Sequence, residues 1–471
     1  MLSPVLGLLR RRFELLPALL LACGTSGPSE RPNVVLVVLD THRADVLSSY
    51  GNSVQTTPNL DRLASEGMRF ERAFSTDFWT LPGHASLFTG QYPSRHGATS
   101  ETNALASEVD TLAEALQRDG YRTGAFVSNP WVSAERGFAQ GFDTFEETWK
   151  QRPGVAFEDR GGIQLSRQWI ATRVERREPF LVFLNLNDAH LPYTPNPQVL
   201  HRLHPGPRQV DRRGHLQTIT SMWRHLAGSE PLDATDFEIL RELYEAEVAM
   251  TDELLGELIA NLREQGILDQ TLVVVTADHG ENLGDHGLID HSLSFYDSTI
   301  RIPLILRYPP RIHPGQVVGE LVSLIDVAPT ILDACGLPPE TLSSSGHSLL
   351  DPNRVPHAFV VAENDRPLNG IRLLEAAFPE FDTSTIDRRM RMIRTSRYKL
   401  VWSQDGPNEF YDLETDPQEL HDLSGAPSQP QAMLLRELEN WMSSAGEPDA
   451  EPFESRDPAS LERLRALGYI D

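Results

Sequence analysis

The sequence predicts an α/β fold, with a large, mostly parallel sheet covered by helices and a smaller α+β subdomain after it. Four short runs rich in β-branched residues are apolar throughout, which is typical of strands buried on both faces. Amphipathic helical patterns lie between these runs. After about residue 355 the apolar runs alternate with polar turns, which indicates short antiparallel strands.

The four candidate strands of the large sheet lie at residues 34–39, 124–127, 180–186 and 272–276. One helix is predicted after the first strand, with Thr57 as its cap, Pro58 in its first turn and Gly67 at its end. A longer helix is predicted over 237–265, where leucines recur at helical spacing.

The C-terminal part predicts a short antiparallel sheet with a helix packed behind it. Its candidate strands lie at 358–362, 391–395, 397–402 and 409–413, and the helix lies at about 431–443. The last residues, 461–471, predict a helix that docks back, because Leu461, Leu464 and Leu467 share one face.

The N-terminus is typical of a bacterial lipoprotein signal. Three arginines precede a short apolar run that ends in L-L-A-C-G, with Cys23 as the residue to be lipidated. The run is too short to span a bilayer, and a plain secretory signal is the alternative. We predict an exported protein, periplasmic or at the bacterial cell surface and held at the membrane by a lipid. The predicted segments are a signal peptide at 1–22, a tether at 23–31, a main domain at 32–355 and a subdomain at 356–471.

The composition limits the partners. The formal net charge is −25, which argues against nucleic acid or an anionic membrane surface as the main partner. An enzyme for anionic esters would need a local positive centre in so acidic a body, and a bound divalent metal would supply it. The second cysteine, Cys335, follows an apolar stretch and is predicted to be a buried thiol. The sequence does not predict an oligomeric state.

Polar side chains follow each of the four buried strands. Ligands of open α/β sheets bind outside the carboxyl ends of the strands, so these side chains are predicted to meet at one edge. They are Asp40, Asn129, Asp188 with His190, and Asp278 with His279. A single Asp after a strand is usually a cap or turn residue, but four such endings favour a metal or active site.

The segment 77–97 carries a candidate nucleophile. Thr80 precedes Pro82 and an apolar pattern, which places it at the start of a predicted helix, where free backbone N–H groups favour an anion. A hydroxyl held there against a metal can be deprotonated and attack sulfur or phosphorus. A plain N-cap threonine is the simpler alternative. Mixed carboxylate and imidazole ligands, as at Asp278 and His279, favour zinc or manganese, with calcium or magnesium as alternatives.

Four segments together resemble the sulfatase family, in order and over residues 32–423. They are N-V-V-L-V-V-L-D-T-H-R-A-D at 33–45, T-P-N-L-D-R-L-A-S-E-G at 57–67, T-A-D-H-G-E-N-L-G-D-H-G at 276–287, and Y-K-L-V-W with F-Y-D-L-E-T-D-P at 398–417. The resemblance implies an alkaline-phosphatase-like α/β/α sandwich. It also implies that Asp40, Asp278 and His279 are metal ligands and that Thr80 is both ligand and nucleophile.

The same resemblance implies roles for four further residues. His84 stands in place of the family's arginine and would orient Thr80 or touch the substrate. Asn129 and His190 resemble substrate contacts, and His291 stands near a substrate-binding lysine. A second metal held by Asp188, His190 and His291 is an alternative.

The departures from the family bear on the reaction. Sulfatases convert Cys or Ser in C/S-x-P-S-R to formylglycine, whereas this chain has Thr80 followed by L-P-G-H, which argues against formylglycine. Thr41 follows Asp40 where a second Asp is usual. T-x-P-x-H resembles instead the nucleotide pyrophosphatase/phosphodiesterase branch of the alkaline phosphatase superfamily.

The sequence therefore predicts a metal-dependent hydrolase that cleaves a sulfate or phosphate ester, carried on a small molecule, glycan or lipid. A phosphodiesterase or phosphonate hydrolase, or a headgroup phosphotransferase at the cell surface, is the first alternative. A binding protein without catalysis is the second.

Overall fold

The run N-V-V-L-V-V-L forms the central strand of the main sheet, and its last six residues are buried. The structure is a computed structural model that describes residues 31–151, 159–205, 216, 219–291, 293–446 and 452–466. The predicted signal peptide, the proposed lipidation site Cys23 and most of the tether lie outside the described residues. Within the described ranges, no helix is both long enough and apolar enough to cross a bilayer.

The strands, in chain order, are β1 Asn33–Leu39, β2 Met68–Phe74, β3 Arg122–Val127, β4 Thr144–Glu147, β5 Phe180–Leu186, β6 Thr271–Thr276, β7 Asn282–Leu283, β8 Ile289–Asp290, β9 Arg301–Ile302, β10 Leu304–Arg307, β11 Gln316–Ser323, β12 Val360–Asn364, β13 Met390–Arg394, β14 Tyr398–Ser403 and β15 Glu409–Asp412. The α-helices are α1 Pro58–Glu66, α2 Thr80–Thr89, α3 Pro93–His96, α4 Leu112–Arg118, α5 Asp159–Arg176, α6 Pro197–Leu203, α7 Ile219–Leu226, α8 Ala234–Glu264, α9 Asp297–Ile300, α10 Val327–Ala334, α11 Leu368–Ala377, α12 Gln429–Ala445 and α13 Pro458–Ala466.

The main sheet has the strand order β11-β2-β10-β6-β1-β5-β3-β4, with β9 paired to β2. The neighbours β6, β1, β5, β3 and β4 run parallel, whereas β10 is antiparallel to β6 and to β2. The four predicted strands are β1, β3, β5 and β6, and they are adjacent in the sheet. The prediction of a mostly parallel, buried sheet is therefore confirmed.

Two groups of helices cover the sheet. One group comprises α1, α5 and α8, with α5 against β3 and β5 and α8 against α1 and α5. The other comprises α2, α4 and α10, with α4 against β3. All ten residues of α2 are buried, because this helix lies between the sheet and its neighbours rather than at the surface. The α/β/α layering expected from the sequence is confirmed.

The C-terminal subdomain has the antiparallel sheet β12-β13-β14-β15, and α12 packs on β13 and β14. Each of its four strands lies within two residues of its predicted range, and α12 includes the predicted helix. The predicted C-terminal helix begins at Pro458 and is described to Ala466. Cys335 is buried, as expected.

Candidate active site and metal centre

The polar residues that follow the buried strands lie at one edge of the sheet. Asp40 comes directly after β1, Asp278 and His279 follow β6, Asn129 follows β3 and His190 follows β5. All of them are buried. Since β6, β1, β5 and β3 are adjacent and parallel, their carboxyl ends bring these side chains together as the sequence predicted.

Thr80 is the first residue of α2, with Trp79 in the N-cap position. Its hydroxyl oxygen Oγ1 lies 3.2 Å from Nε2 of His279. The N-terminus of this helix directs free N–H groups and the positive end of its dipole to the same place, which favours an anion. Gly83 lets the helix approach β6 closely, because a Cβ there would lie 3.1 Å from the carbonyl oxygen of Asp278.

The two carboxylate oxygens of Asp278 have different surroundings. Oδ1 accepts from the backbone N–H groups of Thr41 at 3.2 Å and His279 at 2.9 Å. Oδ2 lies 3.3 Å from His279 Nε2 and 3.3 Å from His84 Nδ1, without hydrogen-bond geometry to either. The backbone therefore fixes one oxygen and leaves the other facing the imidazoles.

His279 is fixed in one tautomer. Its Nδ1 lies 2.9 Å from the carbonyl oxygen of Gly280 and donates to it, so Nε2 carries the lone pair that faces Thr80. Burial lowers the pKa of His279 to about 3, so the ring is neutral at physiological pH. A neutral imidazole with a free nitrogen is the form that binds a metal.

Asp40 is held by asparagine amides. Asn129 and Asn185 donate to its Oδ2 at 2.9 and 3.0 Å. In the orientation that satisfies both ends of its amide, Asn187 donates to the same carboxylate at 3.1 and 3.2 Å. Burial and the nearby charge of Asp278 raise the pKa of Asp40 to about 7.

The donor set fits a divalent metal. Asp40 and Asp278 are wholly buried carboxylates in proximity, and a divalent cation between them would remove the repulsion between their charges. Oδ2 of Asp278, Nε2 of His279 and Oγ1 of Thr80 converge, and Asp40 is beside them. Ligand atoms of Asp40, His84 and Asp278 also lie within 4.8 Å of one another. Oxygen and imidazole ligands together suit zinc or manganese.

His84 lies behind the predicted metal ligands. Its Nδ1 lies 2.9 Å from the carbonyl oxygen of Thr80, and its Nε2 lies 3.3 Å from the amide nitrogen of Asn185. The ring also packs edge-on against Phe138 and Phe183. His84 therefore contacts the backbone of Thr80, and its role in orienting Thr80 or touching the substrate stays a prediction.

Asn129 faces inward. Its Nδ2 donates to Asp40, and its Oδ1 accepts from the backbone of Trp131 at 2.9 Å. Thr41 uses its hydroxyl on the carbonyl oxygens of Asp40 and Ala189, at 2.7 and 3.1 Å, so it does not stand in for a second ligand carboxylate.

Three histidines form a row beside Thr80. The ring of His291 lies 4.3 Å from that of His279 and 5.2 Å from that of His190, centroid to centroid. Asp188, in contrast, donates its backbone N–H to Asp159 at 2.7 Å, and burial together with the charge of Asp159 raises its pKa. Asp188 is thus directed to Asp159, and the structure does not group it with His190 and His291.

The loop that follows β6 is tied to α9. Gly280 donates to the carbonyl oxygen of Thr299 at 2.6 Å, and Glu281 donates to that of Ser298 at 3.0 Å. A Cβ at Gly280 would lie 2.1 Å from the Ser298 oxygen, so only glycine fits there. The residue that follows His279 is therefore fixed by a direct backbone contact.

The C-terminal subdomain in turn holds the first residue of α9, Asp297. Nη1 of Arg394 lies 2.7 Å from Oδ1 of Asp297, and Nζ of Lys399 lies 3.0 Å from the same oxygen. The backbone N–H of Asp297 donates to the carboxylate of Glu419 at 2.8 Å. Lys399 is wholly buried and also pairs with Glu419 at 2.5 Å. Three residues of the subdomain thus position the segment on which the loop after His279 rests.

Sequence reasoning missed four residues of this region. Asn185 lies within the apolar run of β5, and Asn187 follows it directly. A polar amide in an otherwise apolar strand was the feature of the sequence that could have indicated them. Glu281 and Asp290 stand beside His279 and His291 in the chain, and both are buried. No spacing rule distinguishes them from ordinary loop carboxylates.

The chain is similar to known proteins over most of its length. The sequence model of the family described as Sulfatase matches residues 32–337, and that described as N-sulphoglucosamine sulphohydrolase, C-terminal, matches residues 284–445. The chain is 25% identical to an N-acetylglucosamine-6-O-sulfatase of Bacteroides thetaiotaomicron, over 89% of this chain and 88% of that protein. It is 26% identical to human arylsulfatase K, over 84% and 79% of the two chains.

A solved structure shares the fold. The phosphonate monoester hydrolase of Agrobacterium radiobacter superposes with a TM-score of 0.69 at 23% identity, over 88% of this chain and 95% of that one.

Proposed function

The chain belongs to the sulfatase family, and we propose that it hydrolyses an anionic ester with Thr80 as nucleophile. The observation that carries the proposal is the position of Oγ1 of Thr80, at the N-terminus of α2 and 3.2 Å from Nε2 of His279. Asp40, Thr80, Asp278 and His279 would hold one divalent metal. The metal would lower the pKa of the hydroxyl and neutralise charge on the ester oxygens.

The reaction proceeds in two steps. Oγ1 of Thr80 attacks sulfur or phosphorus, the bond to the departing ester oxygen breaks, and the hydroxyl proton of Thr80 ends on the released alcohol. Water then attacks the sulfated or phosphorylated Thr80 and releases the free acid and the threonine hydroxyl. His84 fixes the Thr80 backbone, and Asp40 is kept in place by its asparagine donors.

The identity of residue 80 widens the range of candidate esters. A threonine is not a source of formylglycine in the resemblance described above, so the attacking group is a simple hydroxyl. We therefore place phosphate esters and phosphonate monoesters beside sulfate esters as candidate substrates. The fold shared with a phosphonate monoester hydrolase is compatible with both classes. His190 is a proposed contact to substrate oxygens, and so is Nε2 of His291, whose Nδ1 faces Asp290 and Glu281.

We also propose that the protein is exported and lipidated at Cys23, with a tether to residue 31 and domains at 32–355 and 356–471. A mass spectrum of the intact protein from membranes of the producing cells would carry the mass of a diacylglycerol-linked Cys23. Cleavage elsewhere in the first thirty residues, without lipid, would contradict this.

The experiment for the reaction is a substrate panel. Aryl sulfate, phosphate monoester, phosphodiester and phosphonate monoester are each supplied with zinc, manganese or calcium. Thr80→Ala and Thr80→Ser are compared with the wild type, and the serine variant keeps a hydroxyl in the same place. We expect loss of at least about a thousandfold in kcat for Thr80→Ala and partial retention for Thr80→Ser. Activity that survives in Thr80→Ala would refute the nucleophile.

A further inference from the structure

We propose that Glu281, Asp290 and His291 form a second cation site next to the one assigned to Asp40, Thr80, Asp278 and His279. Ligand atoms of all three residues lie within 4.8 Å of one another. The site lies in the loop that begins at His279, and β7 and β8 hold its two ends together: Asn282 faces Asp290 across their antiparallel ladder.

The side-chain atoms of Glu281 and His291 converge without hydrogen-bond geometry to one another. Nδ1 of His291 lies 2.6 Å from Oδ1 of Asp290 and 3.5 Å from Oε1 of Glu281. Despite these short distances, neither nitrogen of His291 and neither side-chain oxygen of Glu281 has a partner in hydrogen-bond geometry among the described residues. The close approach of these three side chains is the arrangement that a shared cation would require.

Burial makes this arrangement costly without a cation. Glu281 and His291 are wholly buried and Asp290 is 1% exposed, so water does not solvate the two carboxylates. A buried polar atom without a partner is unfavourable, and a buried charge without a partner is more so. A divalent cation would satisfy all three groups.

The backbone is strained at Asp290. This residue has a φ of 69°, in the left-handed region that a non-glycine residue rarely adopts. Its backbone conformation turns Oδ1 to within 2.7 Å of the N–H of His291, which fixes the carboxylate beside the imidazole. Strain of this kind is found at ligand sites, where the surrounding structure holds it.

The chemistry of the donors indicates the kind of cation. Two carboxylates and one imidazole suit zinc or manganese, whereas calcium prefers an all-oxygen shell. The second cation would lie near the first, because the His291 ring is 4.3 Å from the ring of His279. Neighbouring cations would share the negative charge of an ester between them. The site rests on its own residues and does not depend on which residue is the nucleophile.

The test is the number of metal ions bound to the full-length protein. Metal-free protein is dialysed against zinc or manganese, and the metal content is measured by elemental mass spectrometry. We expect two ions per chain for the wild type and one for both Glu281→Gln and Asp290→Asn. Asp40→Asn, which weakens the other site, is also expected to bind one, and Asp40→Asn with Glu281→Gln none.

The matched control is Glu247→Gln, which changes another buried glutamate, in α8, whose carboxylate accepts from Thr194. It is expected to keep two ions. A single ion in the wild type would overturn the proposal. A protonated His291 would then be the cation that pairs with Glu281 and Asp290. Two ions in Glu281→Gln would overturn it as well, and circular dichroism shows whether each variant is folded.

Discussion

Asn185 donates its side-chain amide to Oδ2 of Asp40 at 3.0 Å, and the same nitrogen lies 3.3 Å from Nε2 of His84. Its Oδ1 accepts from the backbone N–H groups of Ser128 and Asn129, at 3.3 and 3.0 Å. The amide of this β5 residue therefore connects the segment after β3, a predicted metal ligand and the helix that carries Thr80. Partners of this kind orient the ligands of a metal.

We predict that Asn185→Leu weakens metal binding about 10–100-fold, because Asp40 loses a donor that fixes its orientation. The measurement is a zinc titration by calorimetry. Asn364→Leu is the matched control, since this buried asparagine donates to Asp77 outside the predicted metal site. Equal affinity in Asn185→Leu and the wild type would show that the asparagines do not support the ligand.

We predict that Lys399→Met destabilises the protein by about 3 kcal/mol, since it leaves the buried Glu419 without its cation. Urea unfolding measures the change. Arg397→Met is the control, because Arg397 pairs with Asp412 at the surface and such pairs contribute at most about 1 kcal/mol. Similar losses in the two variants would contradict a special role for Lys399.

We predict that Gly280→Ala lowers metal affinity and activity together. The added Cβ would meet the carbonyl oxygen of Ser298 at 2.1 Å, so the residue after His279 has to move. Gly425→Ala is the control, because nothing lies within 4 Å of a Cβ there. The measurements are metal content and kcat, and an unchanged metal content in Gly280→Ala would contradict the prediction.

A pH dependence of stability is expected from His357. Its Nε2 lies 2.9 Å from Oδ2 of Asp326, and although burial opposes the charged form, the hydrogen bond and charge of Asp326 raise its pKa above the ordinary 6.5. The protonated pair therefore contributes stability that is fully present below pH 6.5 and is lost as the pH rises through the raised pKa. The melting temperature from pH 6 to 9 measures it.

The control for this prediction is the His357→Gln variant. Its melting temperature is expected to fall less than that of the wild type over the same pH range. Parallel curves for the variant and the wild type would contradict the assignment to His357.

The sequence was most informative where burial dictates composition. The four apolar runs predicted four strands of one sheet. A strand buried on both faces is apolar throughout, whereas a strand with one exposed face alternates apolar and polar residues. Thr80 was predicted at a helix start from Pro82 and the apolar residues after it, and α2 begins there.

Other features depended on contacts between segments far apart in the chain. The amides around Asp40 come from one residue of β5 and from two residues just after β5 and β3, and no local pattern shows that their side chains turn toward one carboxylate. The direction of Asp188 was set by Asp159, about thirty residues earlier. The second cluster of ligands requires the turn between β7 and β8, which periodicity does not reveal.

The hydrogen bond from Lys399 to Asp297 joins the C-terminal subdomain to α9, so it limits where the chain can be shortened. A fragment that ends at residue 355 would contain every proposed ligand and nucleophile but neither Arg394, Lys399 nor Glu419. Its loop after His279 would rest on an α9 whose first carboxylate has lost both of its cations. Removal of the C-terminal sheet by truncation or proteolysis should therefore inactivate the enzyme while leaving its proposed catalytic residues intact.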